Sequence, residues 1–170
     1  MYLDFLYIPL DYFSTLKKKE GLFELMIPFL IGIGSLCYSA ITNSNSQYQF
    51  IQSVLQFVET LLGFTLAALT LLLSNSHMEE KTKEFPTNRN KRGKNISMYE
   101  LLVIQFSHLI IIEALLCVIY YIASLFPKIY CDTGAMIANT LFVFMTFHVM
   151  FATIRAVSCI YLIATGLRQK

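Results

Sequence analysis

The chain has 170 residues, of which 56% are hydrophobic and 14% charged, with a net charge of +2. An ordinary soluble domain devotes about a quarter of its residues to charge, so this composition weighs against a water-soluble fold. The few basic residues, with no nucleic-acid-binding motif beside them, also argue against direct nucleic-acid binding.

Residues 1–19 form an aromatic leader, MYLDFLYIPLDYFSTL, followed by Lys17, Lys18 and Lys19. Leu3, Leu6, Leu10 and Phe13 recur at near-helical spacing while Asp4 and Asp11 share another face. That pattern suits a segment lying in the inner membrane interface with its rings anchored there. A second reading, a tail packed against a neighbouring subunit, stays open.

Four apolar blocks follow, at about 22–41, 50–73, 101–126 and 135–164. Crossing about 30 Å of hydrocarbon takes about 20 mostly apolar residues, which each block supplies. None alternates in the way a barrel strand does, and only helices or closed barrels satisfy their backbone in lipid. The predicted fold is therefore all-α, a single-domain integral membrane four-helix bundle.

The loops set the expected orientation, because cytoplasmic loops are enriched in Lys and Arg. Lys17, Lys18 and Lys19 precede the first span, and the link TNSNSQYQ carries no charge. The loop 74–100 holds Arg89, Lys91, Arg92 and Lys94, and Arg168 and Lys170 follow the fourth span. Both termini and the long loop are thus expected in the cytoplasm, with the protein multi-pass in its membrane. These basic residues are candidates for docking anionic lipid or an acidic protein surface. The start of the loop is expected to prolong the second helix until Pro86 stops it.

Ionisable groups inside spans are costly and point to function or to burial within the bundle. In the second span Gln52, Gln56, Glu59, Gly63, Ala67, Thr70 and Ser74 recur at steps of three and four, a stripe that lipid should not meet. It either mediates close helix packing or lines a hydrated path with a ring of Glu59 from several copies. The third span carries Gln105, His108 and Glu113, and the fourth Asn139, His148 and Arg155. A pair between Glu113 and His148, or between Glu113 and Arg155, would lower the cost of burying either group. Such a pair is either structural or a protonatable switch. In the first span Glu24 precedes Pro28, Gly32 and Gly34, which permit a kink or a close helix crossing.

No P-loop, HExxH, CxxC or GxSxG motif is present, and no cofactor or metal site is expected. An enzyme is not predicted.

The segments IPFLIGIG, LLGFTLAALTLLLSNS, HLIIIEALLCVIYY and TFHVMF, one from each span, resemble the four-span phage exclusion protein RexB. The arrangement also resembles the membrane subunit of the Kiwa anti-phage systems. The resemblance implies a bacterial inner-membrane defence component that works with a cytosolic protein encoded beside it, with Glu113 and His148 as matched intramembrane positions. In one case the membrane protein acts as an ion channel that depolarises the cell. In the other it is a homo-oligomeric platform, suspected to be a tetramer, that senses infection and holds a cytosolic effector. The longer, more basic inner loop and the aromatic leader favour the platform.

Overall fold

The computed structural model describes residues 5, 7–42, 47–75, 80, 82–83, 86–91, 93–125 and 132–164. A short helix α1, Tyr7–Thr15, leads into α2, Lys18–Gly21, a π-helical turn, Leu22–Met26, and α3, Ile27–Thr42. Then come α4, Gln47–Ser74, a hairpin of β1, Pro86–Lys91, and β2, Lys94–Ser97, and the long helices α5, Met98–Leu125, and α6, Asp132–Ala164. Four helical stretches are long and apolar enough to cross a membrane: Lys18–Tyr38, Ser53–Ser74, Met98–Ile122 and Met136–Leu162.

Side-chain burial fits that reading. Phe29, Leu30, Phe64, Leu71, Val118 and Leu141 are exposed, while Gln105, His108, Glu113 and His148 are buried. An exterior so apolar around a polar interior is stable in lipid and would be an aggregation surface in water.

The packing order differs from the chain order. α4 lies along α5, α5 along α6, and α6 along α3, so α5 is central. Gly32 faces Thr140 and Phe144 at the α3–α6 contact, where an added Cβ would sit in ordinary van der Waals contact. Tyr120 stacks on Phe142 at 4.4 Å between α5 and α6.

Two local signals set the helix starts. Ser97 and Glu100 form a capping box at the head of α5. The Ser97 hydroxyl accepts from the Glu100 N–H at 3.2 Å, and the Glu100 carboxylate accepts from the Ser97 N–H at 3.0 Å. In the first span Pro28 has no N–H to give the carbonyl four residues earlier, that of Glu24, and the π-helical turn sits at this point.

The hairpin departs from the all-α expectation. Its strands pair antiparallel with Lys91 opposite Lys94 and Asn90 opposite Asn95, and the register is irregular between Pro86 and Asn90. Gly93 closes the turn with φ of 83°, a backbone region open to glycine. α4 also ends at Ser74, well before Pro86, which corrects the expected extension of that helix.

Candidate functional site around Tyr12

Four elements converge on the ring of Tyr12. It is supplied by α1, which packs on α5 and on β1. The ring stacks on His108 of α5 with centroids 3.7 Å apart and planes 14° apart. The Arg155 guanidinium of α6 sits 4.6 Å from the same ring, a cation–π contact. The Tyr12 hydroxyl donates to Glu24 Oε2 of the π-helical turn at 2.6 Å. Burial, the largest influence on it, pushes the Tyr12 hydroxyl well above its ordinary pKa of 10.0, so it remains a donor.

From Glu24 an ionic chain runs outward. Arg155 Nε lies 2.8 Å from Glu24 Oε1, close enough to pair although its N–H is not aligned for a hydrogen bond. Arg155 also reaches Glu20 Oε2 at 3.5 Å. Glu20 in turn accepts two bonds from Arg89 of the hairpin, at 2.6 and 2.7 Å, the bidentate geometry that guanidinium and carboxylate favour. Arg89 donates a further bond to the Thr15 carbonyl oxygen at 2.9 Å. Two carboxylates thus face two guanidinium groups, which balances the charge of a largely buried cluster. Lys91 pairs with Asp11 of α1 at 2.9 Å and fastens the hairpin at a second point.

The backbone contributes as well. His148 Nδ1 lies 3.0 Å from the Glu24 carbonyl oxygen, the one that Pro28 cannot serve. The imidazole therefore carries its proton on Nδ1 and replaces the missing helical donor.

No family model, curated protein or solved structure matches this chain. The functional reading rests on the residues themselves.

Several expected placements are corrected. Glu113 pairs with neither His148 nor Arg155: it accepts from Thr65 of α4 at 2.6 Å, and its other oxygen has no hydrogen-bond partner among the described residues. His148 and Arg155 are both engaged by Glu24 instead, because the π-helical turn brings that residue to α6. Arg89, expected to dock a partner or lipid, is 5% exposed and committed to Glu20. α1 packs on α5 and β1 of its own chain, with Tyr12 seated among His108, Arg155 and Glu24.

Other expected residues stay outside the cluster. Gln56, Glu59, Gly63 and Thr70 lie on an exposed face of α4, where Glu59 accepts from the Tyr121 hydroxyl at 2.5 Å. Gln52 belongs to α4, but its side chain lies outside the described ones, and Arg92 lies outside the described residues. Lys17, Lys18, Lys19 and Lys94 are exposed. The residues that the sequence did not single out are Tyr12, Glu20 and Thr65, with Glu24 read only as a neighbour of Pro28. Glu24 carried a usable signal, an acidic residue inside an apolar span four positions before a proline.

Proposed function

We propose that this protein is the membrane component of a bacterial anti-phage system, a homo-oligomeric platform in the inner membrane that senses infection and docks a cytosolic effector. In this reading both termini and the hairpin face the cytoplasm, where the basic residues place them. The reading assigns no catalysis to the chain itself. The observation that carries it is the ionic chain from Arg89 through Glu20 and Arg155 to Glu24. It joins the hairpin to two spans, so a protein that grips the hairpin also pulls on the bundle. The resemblance to the two phage-defence membrane proteins supplies the biological setting, and exposed Lys17, Lys18, Lys19 and Lys94 supply a basic surface for an acidic partner.

The test is protection from phage in cells that carry the chain together with the soluble protein encoded beside it. Replacing Lys17, Lys18, Lys19 and Lys94 by Gln should abolish protection and release the soluble protein from the membrane fraction, with the chain still inserted. Full protection with all four neutralised would remove the docking reading.

One observation favours a second reading, an ion-conducting effector. The Glu59 carboxylate lies on an exposed face of a spanning helix, where contact with lipid is costly for an ionised group. Neighbouring copies that meet there would form an acidic ring suited to cations. Depolarisation on infection that vanishes in Glu59→Gln would select this reading, and an unchanged potential with intact protection would select the platform.

A further inference from the structure

Behind Tyr12 the bundle holds polar groups that the fold leaves unsatisfied. Among the described residues neither ring nitrogen of His108 has a hydrogen-bond partner, and neither does the amide of Gln105, one helical turn away on α5; both side chains are buried. Buried polar atoms are nearly always paired with protein or water, so two such groups in succession call for a physical explanation. Water reaching this part of α5 would satisfy both, and the Tyr12 ring, 3.7 Å from the imidazole, covers His108.

The covering element is lightly built. Of the nine residues of α1 only Asp11, Tyr12 and Thr15 are buried, and Tyr12 is the only one of the three with a large apolar surface. Tyr7, Leu10 and Phe13 are 52%, 62% and 43% exposed. α1 seats Tyr12 fully and Phe13 in part, the Phe13 ring lying 5.6 Å from that of His108, but with nine residues and no span to hold it in the membrane it opens at lower cost than a spanning helix, and local opening concentrates in such elements. It also has a second place to go. Two aromatic rings and a leucine next to three lysines suit the membrane interface, where the freed helix would settle.

We propose that α1 is a two-state plug: seated, Tyr12 seals the Gln105–His108 region from water, and released, α1 lies in the interface and the region becomes hydrated. The latch is the set of contacts Tyr12 makes with His108, Arg155 and Glu24, seconded by the Lys91–Asp11 pair, the Phe13 ring beside His108 and His148, and the Arg89 bond to the Thr15 carbonyl oxygen. This inference needs only the four-span fold, so its failure would leave the platform reading untouched.

The experiment uses the full chain in lipid nanodiscs, open to reagent from both faces, with Cys37, Cys117, Cys131 and Cys159 replaced by Ala and Gln105→Cys as reporter. A water-soluble maleimide should label the reporter at least tenfold faster when Tyr12→Ala is added, and Leu10→Ala should not raise the rate. Equal rates with and without Tyr12, fast or slow, would overturn the plug. A second measurement guards against misfolding of the Tyr12 variant. In the unaltered protein, amide hydrogens of α1 should exchange much faster than those of α5, and protection of α1 equal to that of α5 would overturn the proposal as well.

Discussion

Arg89 shows what a single side chain contributes here. It is buried, holds both oxygens of Glu20 and reaches the Thr15 carbonyl oxygen, so it joins the hairpin to α2 and α1 at once. Removing one partner of a buried ion pair strands the other, at a cost of about 3 kcal/mol or more, whereas replacing both by apolar residues of similar size is close to neutral. Arg89→Ala should therefore lower the unfolding temperature of the detergent-solubilised protein clearly. Arg89→Met combined with Glu20→Met should recover part of the loss, short of all because Glu20 also faces Arg155. Two equally unstable variants would mean that the loss lies in bonds only the guanidinium makes, such as the one to the Thr15 carbonyl oxygen, and not in a stranded Glu20. Tyr12 yields a pH prediction at the same scale. Its folded pKa is raised above the ordinary 10.0, chiefly by burial, so its contribution is complete below about pH 10 and declines as pH rises beyond it, when the unfolded chain ionises first. Alkaline loosening of α1, followed by hydrogen exchange, should accordingly shrink in Tyr12→Phe.

Helix breakers decide the first span. Pro28 withholds a donor from the Glu24 carbonyl, the π-helical turn absorbs the mismatch, and His148 of α6 lies against the exposed oxygen. His148 should therefore appear in nitrogen NMR as the Nδ1-protonated tautomer, and Pro28→Ala, which restores an N–H, should let it exchange tautomers. A His148 with its proton fixed on Nε2 would contradict this arrangement. The four spans were legible because each is a long apolar block, whereas the capping box of Ser97 and Glu100 that starts α5 went unread in a loop taken to run to residue 100. The hairpin was not legible. Its strand PTNRNK is polar throughout, and its buried Arg89 finds its carboxylate 69 positions earlier in the chain, a pairing that charge counting assigns to solvent. For the same reason the sequence named Arg155 and His148 but matched them to Glu113. Which carboxylate faces them depends on the packing of α3 on α6.

For the whole molecule, the exposed stripe of α4 is the feature that a single chain leaves unexplained. Gln56, Glu59, Gly63 and Thr70 are all exposed, and a Cβ added at Gly63 meets nothing within 4 Å. Most of the remaining exposed surface of the spans is aliphatic or aromatic, as lipid requires, so a polar and small-residue face stands out as a contact between copies. In the proposed homo-oligomer this face would be the contact between copies, with Gly63 where two backbones would come nearest. In a chain freed of its native cysteines, Gly63→Cys should form an intermolecular disulfide in the membrane under mild oxidation, whereas Leu141→Cys, on an apolar and exposed position of α6, should stay monomeric. Glu59→Leu should leave each copy folded, since Glu59 is exposed and its recorded hydrogen bond is to exposed Tyr121. If cross-linking at position 63 persists in Glu59→Leu, packing of small residues holds the copies together; if it disappears, the carboxylate is what they share, and the acidic ring of the conducting reading gains weight. Efficient cross-linking through Leu141→Cys with none through Gly63→Cys would move the interface to α6 and leave Glu59 facing lipid beside Tyr121.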